Sequence, residues 1–315
     1  MAGGSFMVYT HTHVKLPEQF TASQDWDAYT AENHGMWNFL YSRQRKLIES
    51  RACQEYLDGV DLLGLTPERI PNYAELSDIM FKKTGWRIAV VPCFIPADMF
   101  FDLLAQRHFP ATAWIRSPEQ VDYLPEPDMF HDVFGHFPLL VHPTFADYLC
   151  EFGKGGVKAM KAGQAELDMI QRLYWYTVEF GLVNTHLGPK IYGAGILSSK
   201  GESIYALESE KPHRIRFDIK RVMRTTYRID EFQKTYFVID NFLQMFNDTM
   251  QNFDPIYAEL KKTPTIPWTE IDPKDQVIHR GTVEGQPDDT KVNPEDLMAT
   301  LNKTRAEREK KKPQS

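Results

Sequence analysis

The sequence predicts a mainly α-helical α+β fold with a few short strands. Apolar residues recur at helical spacing over long stretches, the short β-branched runs are few, and glycine or proline marks the joins. From Trp26 onward, Trp37, Leu40, Tyr41, Leu47 and Ile48 fall on one stripe with Arg43, Arg45 and Lys46 between them, the pattern of a core-facing helix. Tyr73, Leu76, Ile79 and Met80 mark a second helix that Gly85 stops, after which WRIAVVP reads as a short buried strand. A helix over 97–107 and a second strand at ATAWIR follow. Helices are then expected through HPTFADYLCEF, QAELDMIQRLYWYTVEFGL and EFQKTYFVIDNFLQMF, with a glycine-rich turn at YGAGILSSKGES before the last of these.

A single folded unit over residues 25–262 is flanked by two segments of different composition. Residues 1–24 are polar and unpatterned, so His11 and His13 belong to a flexible extension. Residues 263–315 turn to Pro, Thr, Lys and Asp, the composition of a partly disordered tail, with one solvated helix expected from Asn293. A chain that is 42% hydrophobic and 13% aromatic can fill a sizeable core. A net charge of −7 gives no general attraction for phosphate backbones or anionic lipid, so nucleic acid is not an expected partner. Neither a signal-peptide pattern nor an apolar run of membrane-spanning length occurs, which points to a soluble cytoplasmic protein. Cys53, Cys93 and Cys150 lie too far apart in sequence for a metal knuckle or a dense disulfide framework.

The chemistry concentrates in two blocks. YLPEPDMFHDVFGHFPLL places His131 and His136 five residues apart, a rotation of about 140° on a regular helix, so both could face one ion only if the backbone departs from that helix. Gly135 and Pro138 offer a means. In QRLYWYTVEFGLV, Glu179 sits in a helix apolar almost all round, with no cation at i±3 or i±4. A buried carboxylate of that kind needs a charge partner from elsewhere or becomes protonated. A metal held by His131 and His136 would be that partner. Two imidazoles and a carboxylate suit ferrous iron with three open positions, while the same set accepts zinc and would then imply hydrolysis.

WIRSPEQVDYLPEPDMFHDVFGHFPLL, RLYWYTVEFGL and YGAGILSSKGES closely resemble successive blocks of the pterin-dependent aromatic amino acid hydroxylases, most of all the bacterial members acting on phenylalanine. The resemblance spans roughly residues 26–258 and preserves the ligand order His, His, Glu. It implies the catalytic-domain fold of that family, with Fe(II) in a deep cleft held by His131, His136 and Glu179. It also implies a tetrahydropterin cofactor and hydroxylation of L-phenylalanine to L-tyrosine with O₂. Neither the regulatory domain of animal members nor a long heptad-patterned tetramer helix is present, so a monomer is expected.

Residue by residue, the resemblance puts Arg116 on the substrate carboxylate, which a planar guanidinium can grip with two parallel hydrogen bonds. Ser198 would help hold the same amino acid, and Gly193 and Gly195 read as turn glycines. Pro127, Trp175 and Phe180 match the pocket around the substrate ring, and Phe100 matches the aromatic that stacks on the pterin. Tyr174, Asp128 and Asp132 are candidates to orient the ligands or the water around the metal. Asp132 stands where animal phenylalanine hydroxylases carry Glu next to the pterin. Trp175 favours phenylalanine, whereas Ile229 at another specificity position does not follow the animal pattern. Tryptophan or tyrosine hydroxylation is therefore the neighbouring alternative; a zinc hydrolase and a catalytically inactive metal-binding protein are the alternatives from other classes.

Overall fold

The computed structural model describes residues 16–284, apart from 123 and 125. The segments containing His11, His13 and the expected helix at Asn293 lie outside the described residues. Helix α1 (Ala31–Ile48) opens on a capping box in which Thr30 and Asn33 satisfy each other's backbone N–H groups. It buries Trp37, Leu40, Tyr41 and Ile48 and leaves Leu47 half-buried. After α2 (Gln54–Leu62), α3 (Tyr73–Thr84) starts under the Asn72 side chain and stops at Gly85, which takes the left-handed C-cap at φ 78°.

A β-α-β unit follows: β1 (Arg87–Val91), α4 (Ala97–Ala105) and β2 (His108–Thr112), with β1 and β2 parallel from Arg87↔His108 to Val91↔Thr112. The second strand thus ends where ATAWIR was expected to begin. Over 113–117 the chain leaves the ladder, and the Arg116 N–H goes to the Asp128 carboxylate instead.

Two π-helical turns interrupt the helical core. The first, His131–His136, runs into α5 (Phe137–Leu140), and α6 (Pro143–Ala162) packs against α4. Pro138 supplies no N–H, so the Phe134 carbonyl four residues earlier loses its α-helical donor, and the Tyr56 hydroxyl donates to it instead. Helix α7 (Gln164–Tyr174) passes into the second π turn, Trp175–Glu179, where the Phe180 N–H donates to the Trp175 carbonyl five residues back.

The remaining elements build a mixed sheet. In chain order they are β3 (Leu182–Val183), β4 (Lys190–Ile191), α8 (Ala194–Leu197), α9 (Lys200–Glu208), β5 (His213–Arg216), α10 (Ile219–Arg224), β6 (Thr235–Ile239), α11 (Phe242–Thr249), α12 (Asp254–Leu260) and β7 (Val277–His279). The sheet order is β4-β3-β6-β5-β7, with β6 parallel to both of its neighbours. Two expectations change here. The glycine-rich turn is largely helical, as α8 and α9, and the first half of the expected helix through EFQKTYFVIDNFLQMF is the central strand β6. All five β6 residues are buried, as a strand covered on both faces must be, and such a run carries no alternation to distinguish it from a buried helix.

The expected ends at 25 and 262 also move outward. Ala22 N–H donates to Val90 O, and the Gln24 side chain bridges Pro71 O and Tyr73 N–H. Beyond 262, Ile266 bridges Thr225, buried Asp275 pairs with buried Arg221, and β7 pairs antiparallel with β5. These ties are backbone hydrogen bonds, two hydrogen bonds of the Gln24 side chain and one ion pair, which need no apolar periodicity and so left no pattern to read.

Candidate metal centre and active-site cavity

The two π turns bring three donors together. Closing a turn over five residues instead of four puts His131 and His136 on one face, which resolves their spacing. Their Nε2 atoms lie 3.1 Å apart. Glu179, at the end of the second turn, places one carboxylate oxygen 3.2 Å from His136 Nε2 and the other 3.7 Å from His131 Nε2. Among the described residues this is the one His/Cys/Asp/Glu cluster whose atoms could ligate a single ion. With metal–ligand bonds of about 2.1 Å, donors at right angles would sit about 3.0 Å apart and tetrahedral donors about 3.4 Å, so the separations fit a facial octahedral set and a tetrahedral one alike.

The surrounding contacts prepare these groups for a cation. Burial is the main reason His131 is pushed down to about 4, and it therefore stands neutral at pH 7. Ser198 donates its hydroxyl to Ala194 O at 2.8 Å and lies 2.9 Å from His131 Nδ1, so it can only accept from that nitrogen. This fixes the tautomer with Nδ1–H and directs the Nε2 lone pair at the cluster. Burial would raise Glu179, but the two histidines and a hydrogen bond from Tyr174 outweigh it and bring the carboxyl down to about 2. Tyr174 lies five residues before Glu179, on the same face across the π turn. Gly193 lets the chain before α8 pass directly over Glu179: a Cβ there would stand 2.4 Å from the Glu179 carbonyl. It is more than a turn glycine.

The cluster lines a cavity of about 930 Å³. Arg116, Pro127, Trp175, Phe180 and Ser198 all line it, as do Phe100, Asp132 and Tyr174. Arg116 is nine-tenths buried and engages Asp128 with Nε and Nη2, at 2.8 and 2.7 Å, while Nη1 donates to Val121 O. Burial would raise Asp128, but Arg116 holds it below its ordinary value, and the same carboxylate accepts the His131 N–H. Asp132 accepts the Thr112 N–H and hydroxyl, and burial pushes it up to about 7. Phe100 meets Tyr174 edge-on at 5.3 Å, while Trp175 lies 4.6 Å from Phe180 and stacks on Tyr227 at 4.5 Å.

Comparison with known proteins now bears on this arrangement. The model of the family described as biopterin-dependent aromatic amino acid hydroxylase matches residues 19–280. The chain belongs to that family. It is 51% identical to a phenylalanine-4-hydroxylase of Ralstonia nicotianae over 87% of each chain. It is 52% identical to one of Chromobacterium violaceum, over 85% of this chain and 90% of that one. A crystal structure of the Chromobacterium violaceum enzyme with iron and phenylalanine bound superposes with a TM-score of 0.78 at 52% identity, covering 83% of this chain and 94% of that one. A pterin is thus the organic cofactor of this hydroxylase. The fold is the family's catalytic-domain fold, with helices predominating over a few short strands.

Sequence reasoning missed several residues that shape the cavity. Tyr227 and Glu202 line it, and Gln233 stands behind Trp175 and accepts its indole N–H at 3.0 Å. Tyr227 and Gln233 fall in YRIDEFQK, a polar stretch with no period, and an isolated glutamine there gives no sign of what it faces. Among the described residues, no helix is long and apolar enough to cross a membrane.

Proposed function

We infer that this hydroxylase converts L-phenylalanine to L-tyrosine with O₂ and a tetrahydropterin, at one ferrous ion held by His131, His136 and Glu179. The observation that carries the reading is the convergence of two imidazoles and an ionised carboxylate on the wall of a cavity that also offers a guanidinium and several aromatic faces. Membership of the biopterin-dependent family and the iron- and phenylalanine-bound relative favour iron over zinc.

Iron and the pterin, when bound, supply the activation of oxygen. The protein binds the partners, orients them and keeps water out. Of the five N–H donors of Arg116, three go to Asp128 and Val121, and the other two are assigned to the substrate carboxylate. Ser198, its proton already given to Ala194, offers one further lone pair, which suits the substrate ammonium. Trp175, Phe180 and Pro127 are assigned to the substrate ring, and Phe100 to the pterin face. Asp132, on the cavity wall beside His131, is assigned to the pterin's polar edge and the water near the metal, and Tyr174 to the orientation of Glu179. A monomeric cytoplasmic enzyme is proposed, with its folded unit reaching from the first described residues to β7.

The test is product analysis with Fe(II), O₂ and tetrahydropterin against phenylalanine, tyrosine and tryptophan in parallel. Tyrosine from phenylalanine as the dominant product is expected. Hydroxylated tryptophan as the dominant product would support the neighbouring specificity, for which Ile229, three-quarters exposed at the cavity edge, is the specific observation. Turnover with zinc that needs neither O₂ nor pterin would overturn the reading.

A further inference from the structure

We propose that Gln233 is a positioning residue for amino-acid selectivity: from behind the cavity wall it fixes the plane of the Trp175 indole, and Glu202 in turn fixes Gln233. The inference rests on the reading of Trp175 as a wall of the substrate-ring pocket. A glutamine amide offers an acceptor on one side and two donors on the other. Gln233, 1% exposed, donates from Nε2 to the carbonyls of Arg228 and Glu231, at 3.0 and 3.2 Å, and accepts the Trp175 Nε1–H at Oε1, at 3.0 Å. The opposite amide orientation would set oxygen against two carbonyls and NH₂ against the indole N–H, so only one arrangement satisfies all the groups.

This amide joins two parts of the wall. One is the indole, stacked on Tyr227 with 20° between the rings and flanked by Phe180. The other is the segment carrying Ile229, Asp230 and Glu231, which lines the cavity and whose backbone the amide holds. Glu202 holds the backbone from which this side chain springs, since one of its oxygens accepts both the Gln233 backbone N–H at 3.1 Å and the Tyr236 hydroxyl at 2.7 Å. Gln233 is not a cavity-lining residue, so it acts through Trp175. The tilt of that indole sets how wide a flat ring the slot admits, and tilt is what a single hydrogen bond at the far edge of a bicyclic ring controls.

The experiment is a double-mutant cycle of Gln233→Met and Trp175→Phe in the iron-loaded enzyme. It measures kcat and KM for phenylalanine and tryptophan, KM for tetrahydropterin, and iron content. Methionine keeps the side-chain length but can neither hold the indole nor donate to the two carbonyls. In the wild-type background, Gln233→Met should raise KM for phenylalanine about tenfold, with kcat within about threefold, and lower the phenylalanine-to-tryptophan ratio of kcat/KM by about fivefold. Pterin KM and iron content should hold. In the Trp175→Phe background, which has no indole N–H to satisfy, the same substitution should change the ratio less than about twofold.

An unchanged ratio for Gln233→Met, or an equal change in both backgrounds, overturns the proposal. If Trp175→Phe itself leaves the ratio unchanged, the reading of Trp175 as the ring wall fails and the proposal falls with it. Should Gln233→Met not fold, ultraviolet Raman of the unmutated enzyme, taken as a difference against Trp175→Phe, reads the same contact. A hydrogen-bonded indole N–H band supports the proposal, and a free one overturns it.

Discussion

Glu179 and Glu202 line the same cavity, both carboxylates are buried, and their surroundings drive them in opposite directions. Around Glu179 stand two imidazoles and the Tyr174 hydroxyl, and the carboxyl is brought down to about 2 despite burial. Around Glu202 stand a backbone N–H and the Tyr236 hydroxyl, whose hydrogen bonds do not offset burial, and the carboxyl is pushed up to about 7. The contrast qualifies the rule that a buried carboxylate signals a metal: the rule holds where imidazoles converge on it, whereas a carboxyl that meets only a backbone N–H and a hydroxyl, as Glu202 does, keeps its proton and serves as structure.

The largest effect should come from the metal end. Glu179→Ala is expected to lower ferrous-dependent kcat by at least about a thousandfold while the far-ultraviolet circular dichroism stays native, because it removes one of three donors. Turnover within tenfold of the parent enzyme would break the comparison there. Arg116→Ala should raise KM for phenylalanine about a hundredfold by removing the clamp on the carboxylate. It also strands the buried Asp128 carboxylate, so a fall in melting temperature is expected alongside. Steady-state kinetics with phenylalanine as the varied substrate and calorimetry check the two parts, and an unchanged phenylalanine KM would refute the role.

How much of this was legible in the sequence follows from the kind of interaction involved. Helices α3, α4, α6 and α7 were readable because each has an amphipathic stripe or a clear stop, as at Gly85. The five-residue separation of His131 and His136 announced a departure from the α-helix, although nothing in the periodicity said that the departure would be a π turn, or that a second would place Tyr174 under Glu179. The roles proposed for Arg116 and Phe100 come from the block resemblance alone, since a lone arginine or phenylalanine carries no address. Strand β6 was lost because a strand buried on both faces looks like a helical core segment, and the Asp128, Gln233 and Glu202 contacts were lost because polar pairing between distant segments leaves no local pattern.

Two smaller effects sharpen the contrast. Ser198→Ala frees the His131 ring from its tautomer-fixing acceptor and should weaken ferrous affinity about tenfold, which a competition titration with a chelator measures. Equal affinity in the two proteins would show that the Ser198 contact does not orient the ring.

Glu202→Gln should instead change the pH dependence of stability. The folded carboxyl lies above its ordinary value of 4.5, so the native state binds the extra proton between about pH 4.5 and 7. The favourable contribution of the protonated group is greatest at the acid end of that window and is lost as pH rises through it. Relative to Glu202→Gln, the parent protein should therefore lose about 1–3 kcal/mol between pH 5 and 8, by urea unfolding at each pH. Parallel stability curves would show that Glu202 ionises in the folded protein as it does in the unfolded chain.

The central claim is that the Glu179 carboxylate of this cavity serves a metal and the Glu202 carboxyl does not. Ferrous titration of the metal-free parent, Glu179→Gln and Glu202→Gln proteins, followed by equilibrium dialysis and iron analysis, tests it most directly. The account predicts one tightly held iron per chain in the parent and in Glu202→Gln, and a loss of at least about a hundredfold in affinity in Glu179→Gln. Tight stoichiometric iron in Glu179→Gln, or its loss in Glu202→Gln, would contradict it.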